Sequence, residues 1–400
     1  MFFDALLLGL GYNASLVTLG ATALGIAAGV IGTFLYLRKR ALVSDAISHA
    51  TLPGVALAFL VMVALGGSGK SLPGLLLGSA LSAGLGLLVV QWLSTRTRLS
   101  EDAAIGAVLS VFFGFGVVLL TLIQTLGTGG QAGLEDFLLG STAGMLRSEA
   151  LLIAFGGLAV LVLALVLRRA MLMAAFDPGF AGAVGVGLNR TDLAMMGLVM
   201  AVTVVGLKVV GLILIVALLI IPPVAARFWS DRVDLVILLA GAMGGLSGWI
   251  GSAISASAAG LPTGPLIVLV AFSLFALSFL LAPGRGVLAV ALRAATFKRR
   301  VHIRQGLLAL ASGQPIFEVY TLRLLQREGL VRADGVTTEA GKTAVAKARL
   351  DEARWALVRA TPELELAAAR YDGLTRISDV LTADQVAGLD RRLQGPEPAT

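Results

Sequence analysis

The segment Arg40–Gly54, RALVSDAISHATLPG, sets an aspartate, a serine and a histidine at Asp45, Ser48 and His49. Spacings of i, i+3 and i+4 place all three on one face of a helix. Imidazole and carboxylate together suit manganese, iron or zinc, and either group can also carry a proton. The same groups would equally serve structural hydrogen bonding, because two ligands alone do not make a metal site. The chain has no cysteine, which removes thiolate ligands, cysteine nucleophiles and disulfides together. Pro53-Gly54 follows directly and is a candidate helix break. Lys208 is the other ionisable residue out of place, near the middle of an apolar run. It fits a helix break near one membrane face, or a snorkelling side chain, better than a substrate ligand. Gly66–Ser71, GGSGKS, has the residues of a phosphate loop without its spacing, and no GxxxxGK[ST] run occurs in the chain. Nucleotide hydrolysis is therefore not expected of this polypeptide.

The elements that would hold these residues read as membrane spans. Of the 400 residues, 57% are hydrophobic and only 14% charged, against about 25% charged in an ordinary soluble domain; the mean hydropathy is +0.92. Residues 1–300 carry 18 Lys/Arg and 11 Asp/Glu, whereas residues 301–400 carry 13 of each. The whole net charge of +7 thus belongs to the first part, where it collects in short clusters between apolar runs. A bilayer explains that distribution, since a charge at its centre costs about 2.5–3.5 kcal/mol or more. The basic balance is accordingly a topology signal and not a nucleic-acid footprint.

Apolar runs lie at 14–37, 46–65, 72–94, 103–126, 149–167, 192–226, 234–256 and 264–282, and roughly 20 residues cross the hydrocarbon. The positive-inside rule puts Arg38-Lys39-Arg40, Arg96 with Arg98, Arg168-Arg169 with Arg190, Arg227 with Arg232, and Arg293 with Lys298-Arg299-Arg300 in the cytoplasm. All five clusters fall on one side if the long run 192–226 is two helices. That gives about nine spans, with eight as the alternative, and a cytoplasmic C-terminal region. Pro222 and Pro223, and Pro262, Gly264 and Pro265, mark further breaks or packing points. Glycines recur at three- and four-residue spacing (Gly25, Gly29, Gly32; Gly241, Gly244, Gly245, Gly248, Gly251), as expected where membrane helices approach closely. Residues 127–148 read as an outer-face re-entrant or interfacial segment. Residues 170–190 read as a cytoplasmic loop holding a short helix that docks a partner.

SDAISHATLPG closely resembles the signature of the ABC-type manganese/zinc/iron permease family, the membrane subunits of metal importers. Glu101–Ser110 (EDAAIGAVLS), Asp177–Leu188 (DPGFAGAVGVGL), Val209–Pro223 (VVGLILIVALLIIPP) and Leu261–Pro265 (LPTGP) resemble the same family, in the same order and spacing, over about residues 10–285. The resemblance implies an all-α polytopic bundle in the bacterial cytoplasmic (inner) membrane. It also implies a second permease copy, two cytoplasmic ABC ATPase subunits and an extracytoplasmic metal-binding protein. On the same grounds Asp45, Ser48 and His49 belong to the translocation region, and Asp177, Pro178, Gly179, Phe180, Gly185 and Leu188 to the loop that contacts the ATPase. The cargo is a divalent ion, manganese favoured, zinc or iron the alternatives; no permanently bound cofactor is expected. A permease for a metal chelate and a membrane-tethered metal-responsive regulator are the competing readings, and the SDAISHATLPG signature speaks against the first.

The domain boundaries expected are 1–290 for the permease, 291–300 for a basic juxtamembrane linker, 301–395 for a small cytoplasmic winged-helix-like α+β domain, and 396–400 for a flexible tail. Helical segments at Arg304–Ala311, Pro315–Glu328 and Thr338–Trp355 surround a turn at Asp334-Gly335 flanked by β-prone residues. GLVRADGVTTEAGKTAVAKARLDEARW resembles the winged-helix part of metal-dependent repressors of the diphtheria-toxin-repressor type. The zero net charge of residues 301–400 argues against nucleic acid as the partner, because a DNA footprint needs a positive face. A regulatory or docking role suits it better, with a vestigial fused fragment as the alternative.

Overall fold

The computed structural model describes residues 6, 7, 9, 11–67, 69, 71–125, 147–258 and 261–394. The chain divides into two compact units, Met1–Leu288 and Ala289–Thr400. Of the expected segment 127–148, residues 127–146 lie outside the described residues, while Arg147 and Ser148 are helical; the tail 396–400 and Ser68 and Lys70 of the GGSGKS stretch also lie outside them.

The first unit is a helix bundle. Its elements are α1 (Tyr12–Leu37), α2 (Ala41–Ala64), α3 (Leu72–Arg96), α4 (Glu101–Thr125), α5 (Arg147–Phe176), the short α6 (Pro178–Ala183), α7 (Leu188–Val210), α8 (Leu212–Arg227), α9 (Val233–Ser257) and α10 (Thr263–Leu281). Among the described residues, eight helices are long and apolar enough to cross a membrane, and Ile215–Arg227 adds a shorter apolar one. The run 192–226 is indeed two helices. They meet at Gly211, whose φ of 85° and ψ of 169° lie in a region that is essentially glycine-only. Lys208 sits in the last turn of α7, just ahead of that break.

α1 and α2 form the centre: α1 packs on α5, α7, α8 and α9, while α2 packs on α3, α4, α7 and α8. Glycine makes the tightest of these contacts. A methyl group at Gly25 would stand 2.7 Å from the carbonyl carbon of Gly244, and one at Gly29 would stand 2.7 Å from that of Ala240, both on α9. Gly54 on α2 meets the backbone of Gly78 on α3 in the same way. Lipid tails are as apolar as the side chains, so close backbone approach supplies the dispersion attraction that burial supplies in water. Thr18, Thr22, Thr33, Ser48 and Ser252 satisfy their hydroxyls on carbonyls four residues back in their own helices, so these five donors are not stranded in the bundle.

The expected break at Pro53 does not occur. α2 runs unbroken from Ala41 to Ala64 with Pro53 inside it. Pro53 and Gly54 act instead in packing, both buried; a proline is tolerated within a packed membrane helix because its neighbours absorb the lost hydrogen bond. Pro222 and Pro223 likewise lie inside α8. Pro262 caps α10, and Gly264 and Pro265 fall in its first turn, where a missing N–H costs nothing.

The second unit contains α11 (Val287–Ala311, which begins two residues before the unit does), α12 (Val319–Arg327), α13 (Glu339–Ala360), α14 (Glu365–Ala368) and α15 (Ala383–Gln394). Residues 291–300 are helical, inside α11. The α+β expectation is corrected here: among the described residues there is no strand, and the segment meant to form a small β-hairpin makes a single antiparallel bridge, Val331 with Thr337. The reason is length. Arg332–Gly335 is spent on a turn, with Gly335 at φ 85°, leaving one residue on either side to pair. Thr338 then caps α13 by accepting from the N–H of Gly341 at 3.0 Å, the N-cap chemistry that starts a helix.

Two small cores hold this unit. One centres on Leu307, Leu325 and Val331. The other centres on Trp355, fully buried, with Val358, Ile377, Leu381 and Leu389; the Trp355 indole donates to the carbonyl of Thr375 at 3.0 Å. Arg304 binds Asp351 at 3.1 Å and Glu352 at 2.9 Å, and the Tyr371 hydroxyl donates to Glu352 at 2.6 Å. Burial pushes the Glu352 carboxyl up, but hydrogen bonds from Tyr371 and Arg304 outweigh it and hold that group below its ordinary value. Burial first, and the hydrogen bond to Glu352 second, raise the Tyr371 hydroxyl above its ordinary value against the opposing effect of Arg304.

Candidate functional site

α2 begins at Ala41, so Asp45 and His49 fall in its second and third turns, one helical turn apart. The His49 Nε2 lies 3.4 Å from Asp45 Oδ1, too long for a strong hydrogen bond. The pair is accessible: the His49 side chain is 19% exposed and that of Asp45 39%. The imidazole is held edge-on by Phe113 of α4, with ring centroids 5.0 Å apart at 83°. Its Nδ1 is buried and has no hydrogen-bond partner. A buried ring nitrogen without a partner, beside a loosely engaged carboxylate, is a pair of groups chemically able to bind a cation or to carry a proton.

Ser48 does not join them. Its hydroxyl is buried and donates to the carbonyl of Ser44 at 2.8 Å, turned back along its own helix. The spacing is right for the shared face, but the short side chain reaches the backbone before it reaches the pair. Among the described residues no group of three or more His, Asp or Glu gathers to hold a metal. One copy of the chain therefore presents two donors, not a complete coordination sphere.

The other predicted loop forms a short, capped and exposed helix. Asp177 Oδ1 accepts from the Phe180 N–H at 2.9 Å and so caps α6, with Pro178 at the first helical position. Gly179 is exposed, Gly185 turns the chain at φ 86°, and Leu188 opens α7. Phe176 at the end of α5, Phe180 in α6 and Val184 at the C-cap of α6 are 65%, 57% and 53% exposed, an apolar stripe on the surface of this corner.

Sequence reasoning did not anticipate the ionic cluster beside this loop. α1 ends in a Schellman turn: Lys39 N–H donates to Tyr36 and Arg40 N–H to Leu35, both near 3.0–3.1 Å. Lys39 occupies the left-handed position at φ 58°, alone among the described non-glycine residues. This turn aims Arg38 and Arg40 at one carboxylate. Arg38 grips Asp192 through Nε and Nη2 at 3.0 and 2.8 Å, and its Nη1 donates to the carbonyl of Ala174 at 2.7 Å. Arg40 lies 3.1 Å from Asp192 and 2.8 Å from Glu101. Arg38, Lys39 and Arg40 read as a topology signal from sequence alone. Their partners lie 61–154 positions away, beyond any local pattern.

A bundle of membrane-length helices with a carboxylate–imidazole pair on a central helix and an exposed apolar corner has the outline of a membrane transporter subunit. The sequence pattern of the ABC 3 transport family matches residues 13–282, and the chain belongs to that family. It is 41% identical over 309 residues to the manganese transport system membrane protein MntC of Bacillus subtilis (strain 168), which covers 77% of this chain and 70% of that protein. It is 40% identical over 277 residues to the zinc transport system membrane protein TroC of Treponema pallidum (strain Nichols), covering 69% and 91%. The solved structure of PsaBC from Streptococcus pneumoniae in complex with Fab superposes with a TM-score of 0.61 at 29% identity, covering 72% of this chain and 98% of that one.

Proposed function

We propose that this chain is the permease subunit of an ABC importer that carries a divalent metal ion, manganese in the first place, into the cytoplasm. The observation that carries this reading is the Asp45–His49 pair, with its unpartnered Nδ1, on the central helix of an ABC 3 family bundle. The names of MntC and TroC, manganese and zinc transport membrane proteins, support the choice of cargo.

The chemistry follows from what one copy lacks. Two donors hold a divalent ion too weakly and leave its charge half balanced. A second copy related by a two-fold axis would bring an identical pair to the same axis. Four donors and two negative charges then suit zinc as a full shell, or manganese with water completing it. We assign the energy source to separate cytoplasmic ATPase subunits that dock on the Phe176–Phe180–Val184 stripe, and delivery to an extracytoplasmic binding protein. Hydrolysis would move the two halves between outward- and inward-open states, passing the ion across the Asp45 and His49 level. We assign residues 301–394 to the cytoplasm as a regulatory or docking module.

The test is uptake of manganese, zinc and iron by cells expressing the chain with its ATPase and binding protein. ATP-dependent uptake of one metal, lost in both His49→Ala and Asp45→Ala at unchanged protein level, is the expected result. Uptake unchanged in both variants removes the pair from the ion path.

A further inference from the structure

Asp192 is the single charged residue buried among the described residues, 6% exposed, and its position in the chain gives that burial a purpose. α6, the docking helix, is flanked in sequence by the end of α5 and the start of α7. Arg38 holds both flanks at once: Ala174 O at the end of α5 and Asp192 in the second turn of α7. Arg38 and Arg40 sit on the three-residue turn that leads into α2, where Asp45 follows five residues later. Arg40 extends the same network to Glu101 at the first residue of α4, the helix whose Phe113 braces His49.

The charges balance within the cluster, two arginines against two carboxylates, so it is not an uncompensated burial. The fork of Arg38 fixes direction as well as distance, because a planar guanidinium can grip a carboxylate with two parallel bonds. A left-handed, non-glycine residue at Lys39 is an unfavourable local geometry that persists only where surrounding contacts impose it. Here it is the geometry that lets both arginines reach Asp192.

We propose that Asp192 is a positioning residue that couples the docking helix to the ion pair: with Arg38 and Arg40 it locks both flanks of α6 to the start of α2, so that displacement of α6 is passed to Asp45 and His49. This inference rests on the permease reading given above. It adds a mechanical link to that reading and assigns Asp192 no contact with the ion.

The test uses the complete transporter in proteoliposomes, with the metal and ATP supplied, and measures uptake and hydrolysis together. Asp192→Asn keeps the shape and removes the charge. Arg38→Lys keeps the charge and removes the fork, and serves where the first variant does not fold. In either, ATP hydrolysis is expected to stay within about twofold of the parent while ions moved per ATP fall about tenfold, inside the factor of roughly 5–150 that coupling between sites ordinarily amounts to. Uptake and hydrolysis falling in parallel, or an unchanged ratio, would overturn the proposal. A second readout stands even if the parent transports nothing, which would sink the permease reading instead. The chain is free of cysteine, so spin labels on Ala183→Cys and Leu42→Cys report the α6-to-α2 distance in the purified protein. A narrow distribution in the parent that broadens with Asp192→Asn supports the lock, and an unaltered distribution overturns it.

Discussion

Two alanine substitutions on one helix separate glycine as a packing device from glycine as mere looseness. In α1, Gly29 faces the backbone of α9, where a methyl group would overlap the Ala240 carbonyl oxygen and stand 2.7 Å from its carbon. Gly20, on the same helix, has no atom within 4 Å of the place a methyl would occupy. Both substitutions gain the same helix propensity, about 1 kcal/mol, so that term cancels in the comparison. What remains is the overlap at Gly29, and its obstacle is main chain that cannot rotate aside. Overpacking costs about 1–3 kcal/mol, and the rigid neighbour places Gly29→Ala at the upper end. Each kcal/mol moves the midpoint of a domain this size by roughly 2–4 °C, so Gly29→Ala should melt about 5–10 °C below Gly20→Ala. Thermal unfolding of the purified protein in one detergent, followed by size-exclusion fluorescence, measures this directly. Equal midpoints for the two variants would refute the claim that α1 and α9 are held by backbone contact.

Gly211→Ala forces a side chain into a conformation that only glycine adopts freely; it is expected to cost about 1–3 kcal/mol, read as a lower midpoint than that of the parent, and no change would mean the α7–α8 break needs no glycine. Trp355→Ala empties the centre of the larger of the two cores in the second unit, at about 3–5 kcal/mol, and should open residues 301–394 to limited proteolysis. Glu352 is held below its ordinary value of 4.5, so its contribution to folding is complete above about 4.5 and lost as pH falls through the lower folded value. Tyr371→Phe removes one of the hydrogen bonds responsible and should raise the pH at which that unit loosens, read from Trp355 fluorescence with the other three of the four tryptophans replaced by phenylalanine.

Features set by a short sequence period are legible in the chain itself. Asp45 and His49 stand one turn apart because four residues make nearly one turn, and the structure puts their side chains in contact range. The glycines at Gly25, Gly29, Gly244 and Gly248 repeat every four residues, and those are the rows that meet across α1 and α9. The run 192–226 is too long for one span, and it is two helices. Length tells that a break is needed, while only the backbone shows that Gly211 makes it.

Features that depend on competition between partners are not legible in this way. Ser48 has the right spacing for the site, yet its own helix offers a carbonyl at 2.8 Å, and the short hydroxyl is turned back to it. Pro53 has the composition of a break, yet the helices around it keep α2 whole. The β-prone residues near Asp334 have strand propensity, yet a seven-residue segment with a turn at its centre can form one bridge. The Arg38–Asp192 pair is the clearest case. In sequence, the arginine is one of a basic triplet whose placement the membrane explains, and the aspartate is an ordinary acidic residue near a helix start. Their meaning arises only when α1 and α7 pack and one carboxylate is buried between two guanidinium groups. A basic cluster beside a span therefore carries two messages, and topology accounts for one of them. The other emerges by asking which member of the cluster is buried, and against what.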